Sequence, residues 1–464
     1  MSTQLRTDAL NFWEVLAQSV AMIGPSITPV LIVPLMFAQA GNAGWLAYVF
    51  AAIMLGAVAL NINVFAGRSA SAGSLYAFSL RAFGPRGALF IGWCQLWAYV
   101  FVGVASACAF AVFVPSLAAA LHLPLSNLAA TLLCVALAWL LSYRDVRISA
   151  VALLGFEGAA ITLIAIITVL IFVHHHGSWI DLDQIRLVGV TPTAIALGTV
   201  LAVFSLLGFE SATSLGEEAR APLKTIPRAV MASVLLSSLF FVIVTYAEIL
   251  GTRGFTPSLD KMTTPLDTIA DALGASFMKV PIDIGAVLCC LSIVTAAVNG
   301  AARALLMMGR TGLMPAAFGI THPTHETPAR ALTTVALIVA AISGGAIAAG
   351  RAPVDAFGDC ATLCSYAFVL VYGAVAIGAS VYLRRLGELR RRNVVISALA
   401  VAFLFVPAIG SVYPVPPWPA NLYPIGFVVY AAIGVVLLWR RPQSALALLP
   451  TEPETRRAVP TPSS

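Results

Sequence analysis

Charge is scarce in this chain: of its 464 residues only 10% are Asp, Glu, Lys or Arg, while 60% are hydrophobic, and the mean hydropathy is +0.95. A soluble globular domain carries about 25% charged residues, so this composition excludes one and leaves a polytopic membrane protein. Cysteine is sparse as well. The seven (Cys94, Cys108, Cys134, Cys289, Cys290, Cys360, Cys364) are an odd number and all fall in apolar runs, which implies small core residues rather than a disulfide framework. Catalytic groupings are missing: there is no His-carboxylate cluster, no zinc-type His pair at helical spacing and no Gly-x-Ser-x-Gly elbow, which argues against an enzyme. No metal site is expected either, because Cys360 and Cys364 have no third ligand beside them and the run His174, His175, His176 reads as a solvated loop. The first apolar segment follows Asp8 and Glu14 instead of a basic region, so no cleavable signal peptide is expected.

What is present in quantity is apolar sequence in lengths that cross about 30 Å of hydrocarbon as helices. Twelve runs are counted, at about 17–39, 45–66, 87–114, 127–142, 149–173, 193–215, 228–250, 281–308, 331–349, 354–382, 394–412 and 421–440. The net charge of +6 would suggest nucleic acid for a soluble protein, but its distribution points to a membrane and no nucleic-acid partner is expected. With twelve alternating spans, twenty-one of the 26 basic residues fall on the side of the N-terminus, among them Arg6, Arg68, Arg144, Arg147, Arg303, Arg310, Arg440, Arg441, Arg456 and Arg457. Only Arg186, Arg253, Lys261, Lys279 and Arg351 fall on the other. The positive-inside rule therefore sets both termini in the cytoplasm of a cell-membrane protein.

The expected organisation is a cytoplasmic tail at 1–16, a transport core at 17–382, two further helices within 383–441 and a disordered cytoplasmic tail at 442–464. Within the core, span 1 reads AMIGPSITPVLIVP and span 6 reads FSLLGFES. Each sets helix breakers into hydrocarbon, where freed backbone groups have no water to bond, and such breaks persist only where they face protein, ligand or a wet cavity. Each also opens a block of five spans, 17–173 and 193–382. Five is odd, so the second block enters from the opposite side as an inverted-topology repeat.

Three motifs then carry a family resemblance over spans 1 to 10. RSASAGSLYAFSLRAFGPRGALFIGW supplies Ser71, Ala72, Gly73, Tyr76, Gly84, Pro85, Gly92 and Trp93; GFES runs into GEEARAPLKTIPRAV; and NGAARALLMMGRTGLMP supplies Asn299, Arg303, Gly309, Arg310, Gly312 and Pro315. In this pattern the chain resembles the amino acid–polyamine–organocation superfamily of permeases. The resemblance implies an all-α polytopic fold of 12 transmembrane helices, a LeuT-type 5+5 inverted repeat with helices 1 and 6 broken, plus two additional C-terminal helices. It also implies a secondary transporter of amino acids or related amines that needs no cofactor beyond a proton gradient, with sodium the lesser alternative through Ser292 or Thr295. Exchange of one amine for another, a channel and an amine-sensing receptor stay open.

For the site, the resemblance implies that amides or hydroxyls of Ser26, Ile27 and Thr28 hold a carboxylate beside Gly24, and that carbonyls of Ile23, Phe204, Ser205 and Leu206 hold an ammonium. Many relatives have a Gly-x-Gly or Ser-Gly run at the first break, whereas here Pro25 removes one amide donor. The Ser26 and Thr28 hydroxyls have the alternative of bonding their own helix. Phe204 is expected as an aromatic lid and Gly208 as a point of bending or close approach. Glu157, deep in span 5, is expected to carry the coupling proton, to pair with a cationic substrate, or to sit neutral against a neighbouring helix. Glu210 is a second proton-coupling candidate, or a stabiliser of the helix that follows. Glu248 reads as interfacial, and Tyr99, Ser292, Asn299 and Tyr366 as candidates for the pocket wall. Glu217, Glu218, Arg220, Lys224 and Arg228, with Arg68, Arg144 and Arg310, form either a solvated charged loop or a salt-bridged cytoplasmic gate.

Overall fold

The computed structural model describes residue 5 and residues 7–439, apart from 121, 145, 175–178, 263, 313, 414 and 417. Arg6, His175, His176, Arg440, Arg441, Arg456, Arg457 and the tail at 442–464 lie outside the described residues, as do the side chains of Arg144 and Arg147.

The described chain is helical, and its sole extended pairing is an isolated bridge between Leu10 and Ala219. The helices are α1 (Phe12–Ile23), α2 (Val33–Ala40), α3 (Gly44–Ala66), α4 (Ser74–Ala120), α5 (Asn127–Arg144), α6 (Val146–His174), α7 (Leu182–Ile185), α8 (Pro192–Ser205), α9 (Pro222–Gly251), α10 (Pro265–Ala272), α11 (Lys279–Arg310), α12 (Ala329–Ala348), α13 (Pro353–Arg385), α14 (Arg391–Gly410) and α15 (Tyr423–Trp439). Helix occupies every one of the twelve apolar runs. Among the described residues, eight segments are long and apolar enough to cross a membrane, the first being Phe12–Ala66, which takes in α1 to α3. Asn127–Tyr143, Pro192–Ser205 and Ala420–Val436 are shorter apolar helices.

Burial separates centre from rim. The apolar window of Ser74–Pro115 is 72% buried and that of Ser276–Arg310 67%, against 22% for Arg391–Gly410, so α4 and α11 form the axis and α14 stands at the edge. Large apolar side chains such as Leu337, Val169 and Leu239 point outward at 58–65% exposure. Without a hydrophobic drive between helices in lipid, close approach of small residues and interhelical polar bonds do the joining. Asn299 on α11 donates to Ser149 on α6 at 2.8 Å. Trp93 on α4 stacks on Tyr430 of α15 at 4.6 Å and donates to its carbonyl.

Two interruptions position the site. Asn11 caps α1 and forms a reciprocal capping box with Glu14. The helix then ends at Gly24, which is left-handed at φ 66°, and a π-helical turn over Thr28–Ile32 leads into α2. Likewise α8 stops at Ser205, Gly208 takes φ 89°, and a 3-10 turn follows at Ser211–Leu215. The apolar run of span 6 extends through residue 215, whereas the α-helix ends ten residues earlier, at Ser205.

Candidate functional site

The two breaks face one another because side chains bind each to the other and to the axis. On α1, Gln18 donates to Ser211 Oγ at 2.9 Å and to the Ala296 carbonyl at 3.0 Å, while Ser19 accepts the Ala212 amide at 2.8 Å. The glycines permit the approach. A Cβ at Gly208 would stand 2.2 Å from Met22 Cγ, and one at Gly24 2.3 Å from Ile293 Cδ1, both at positive φ where L side chains are strained.

Between the broken ends lies a chamber of about 40 Å³, walled by Met22, Ile23 and Ile27 of the first break, Phe204, Ser205 and Leu207 of the second, Val102, Ala105 and Ser106 of α4, Ile293 of α11, and Phe357 and Cys364 of α13. Phe204 and Phe357 meet edge to face with centroids 6.3 Å apart. Beyond them is a vestibule of about 580 Å³ between α8, α13, α14 and α15, which shares Ile32, Phe204, Leu207 and Phe357 with the chamber.

Of the residues expected to bind substrate, Ile23, Ile27, Phe204 and Ser205 line the chamber, and Gly24, Ser26, Thr28, Leu206 and Gly208 are not among its lining residues. The Ser26 and Thr28 hydroxyls are buried with no hydrogen-bond partner, so they do not bond their own helix as Thr295 does to Leu291 at 2.7 Å. The carbonyl of Phe204 already accepts the Leu207 amide at 3.1 Å, and Leu206 donates to Val203. Ser205 Oγ donates to the Leu201 carbonyl and pairs with the Tyr48 hydroxyl, both at 3.0 Å.

Glu210 is wholly buried and does not cap the turn after it; its carboxylate accepts from the phenols of Tyr99 at 2.9 Å and Tyr372. Tyr372 also accepts the Gly208 amide at 3.0 Å, which ties the second break to α13. Glu157 is buried on α6 beside Ser292 and Cys289 of α11, yet both its oxygens and the Ser292 hydroxyl lack a hydrogen bond. It lines a separate cavity with Pro25, Val20, Trp13 and Phe240. Tyr366 lines the vestibule instead of the chamber and bonds the Ser411 carbonyl, and Asn299 serves packing. Glu248 is fully buried with both oxygens unpartnered, so its interfacial reading is corrected: α9 turns it inward, toward Tyr48.

The end of the bundle where α1 begins is closed. Arg303 grips Glu218 with two bonds of 2.8 and 3.1 Å, the pair only 2% and 1% exposed. The amides of Ala9 and Leu10 donate to the Glu218 carbonyl, and Arg220 returns a bond to Leu10. Arg310 binds Glu217 at 3.0 Å, while Arg68 reaches Glu388, a partner that sequence reading did not name. The solvated-loop alternative therefore does not describe Glu218. At the opposite end burial pushes the Asp181 carboxyl up, but hydrogen bonds from Gln184 and Arg253 outweigh it and hold it below the usual carboxylate range.

Sequence reasoning missed Tyr372, Phe357, Cys289, Gln18 and Ser19. Gln18 was the one legible signal, an amide inside an apolar run; the others are single residues on helices whose phase the sequence leaves open. The seven cysteines are buried, free thiols.

Comparison with known proteins adds a family to this geometry. The match to the branched-chain amino acid permease BcaP of Bacillus subtilis is 26% identical over 308 residues, 62% of this chain and 64% of the relative. For the low-affinity putrescine importer PlaP of Escherichia coli it is 24% over 302 residues, 63% and 65%. For the methylthioribose transporter of Bacillus subtilis it is 24% over 324 residues, 66% and 68%. The first two matches span less than two thirds of those relatives' length. All three relatives are transporters by name, and the amino acid permease family model matches residues 10–439, so the chain belongs to the amino acid permease family.

Proposed function

We propose that this protein is a secondary active transporter of amino acids or related amines, working by alternating access at the cell membrane and driven by protons. The observation that carries the reading is the chamber between two helices that both break at their middles. Broken helices present unpaired N–H groups and the positive dipole end on one side and carbonyls on the other, a pairing suited to a small zwitterion. In this reading the chain makes twelve crossings as a 5+5 inverted repeat with α14 and α15 appended, and the closed end is cytoplasmic, in keeping with the bias of basic residues toward it. The vestibule is then the outer entrance, Phe204 and Phe357 its lid. The unpartnered hydroxyls of Ser26 and Thr28 are the available donors for the carboxylate.

Glu157 is the proton carrier in this scheme. A carboxyl with no hydrogen bond, buried among helices, costs about 2.5–3.5 kcal/mol when charged at the bilayer centre, so it holds a proton until the helices around it move. Glu210, already clasped by two phenols, acts instead on the closure of the second break. Proteoliposomes given only an inside-alkaline pH gradient should accumulate substrate, and Glu157→Gln should abolish that accumulation while binding remains measurable. Normal pH-dependent uptake by Glu157→Gln would remove the residue from the mechanism. Accumulation only with substrate preloaded on the far side would identify an exchanger.

A further inference from the structure

Granting the permease reading, the walls of the chamber and vestibule specify its substrate more closely. None of the described residues lining either space is charged. The chamber wall opposite the breaks is Val102, Ala105, Ile293 and Phe357, with the Ser106 hydroxyl and the Cys364 thiol its only polar groups. The two intramembrane acids that a cationic side chain would seek are elsewhere: Glu210 lies behind Tyr99 and Tyr372, and Glu157 opens onto a different cavity. We infer that the substrate is a neutral amino acid with an apolar side chain, and that Phe204, Leu207, Phe357 and Leu370, at the mouth of the chamber and along the vestibule, are its specificity-determining wall.

The dimensions set the pose. A space of about 40 Å³ accommodates roughly three waters, enough for the charged end of an amino acid but not its side chain. The ammonium and carboxylate occupy the broken ends, and the side chain extends between Phe204 and Phe357 toward the vestibule. The two rings part to admit it and then close on its apolar surface. A second positive charge carried by lysine or a diamine would enter the same low-dielectric wall with no counter-charge, and its apparent affinity should be about 100-fold weaker than that of leucine.

The test is a panel of L-leucine, L-lysine and putrescine on the purified wild-type protein, read as thermal stabilisation and as competition for uptake in proteoliposomes. Stabilisation and uptake by leucine, with lysine and putrescine about 100-fold weaker, supports the inference. Lysine or putrescine binding as well as leucine overturns it and leaves the permease reading intact. If none of the three binds or is carried, the permease reading itself fails and takes this one with it. Ser365→Asp adds a carboxylate to the vestibule wall and should turn the ranking toward lysine; an unchanged ranking in folded protein removes the vestibule wall from the subsite.

Discussion

Replacing Gly208 with alanine tests whether the second break depends on backbone freedom. The residue sits at φ 89°, a region that costs an L side chain about 1–2 kcal/mol. Its new Cβ would lie 2.2 Å from Met22 Cγ and 3.1 Å from Met22 Cβ, so Met22, itself 3% exposed in a packed interior, must move at an overpacking cost of about 1–3 kcal/mol. The sum is about 2–5 kcal/mol, drawn directly from the contact between the two broken helices. Gly208→Ala should therefore lower the thermal midpoint of the detergent-purified protein and abolish uptake. The steric share can be isolated: in the Met22→Ala background the 2.2 Å collision with Cγ is removed and only the 3.1 Å approach to Cβ remains, so the residual cost of Gly208→Ala should fall toward the backbone part of about 1–2 kcal/mol. The reasoning is refuted if Gly208→Ala has wild-type stability and uptake, or if truncating Met22 leaves its stability defect unchanged.

Three other perturbations follow from named contacts. Tyr372→Phe leaves the Gly208 amide without its acceptor and takes from the Glu210 carboxylate one of its two phenols, Tyr99 remaining, at about 1–3 kcal/mol for the amide left unpaired; stability and uptake should both drop, and retention of both would show that the phenol holds nothing. Glu218→Gln strips the counter-charge from buried Arg303 and should destabilise by about 3–5 kcal/mol, whereas Glu388→Gln at the half-exposed Arg68 pair should cost about 0–1 kcal/mol; equal midpoints for the two variants would contradict the burial difference. On α10, burial and then the neighbouring Asp283 push the Asp267 carboxyl from 3.8 up to about 6. A folded-state value above the unfolded one means the native form binds the extra proton, so this stabilisation is complete below about pH 4 and is lost as pH rises through 6. Asp267→Asn should flatten the thermal midpoint between pH 4.5 and 7.5 relative to wild type.

The helices and their breaks were legible because they rest on local chemistry. Apolar length alone located helix at all twelve runs; Gly24 and Gly208 marked the interruptions, since no other residue allows a positive φ so cheaply, and Pro25 withholds an amide at the first of them. What the site does with its side chains was not legible, because it depends on helical phase and on partners 85 to 278 residues away. Glu218 and Arg303 look like any loop acid and any span-end arginine until the fold brings them within 2.8 Å. Tyr372 becomes significant only when Gly208, 164 positions earlier, presents its amide.

Glu210 and Glu157 were equivalent in sequence, each a lone acid in an apolar stretch, and the fold separates them by what surrounds each carboxylate. One is held by two phenol donors; the other lies beside Ser292 and Cys289 without a hydrogen bond of regular geometry and shares a cavity with Pro25, at the joint of α1. An acid so weakly held gains most from a change in its surroundings, because either protonation state is poorly served until the neighbouring helix shifts. In the proposed transport scheme that asymmetry assigns the movable proton to the first break and the fixed closure to the second. The two halves of the site thus differ in how their carboxylates are held although their backbones are interrupted in the same way.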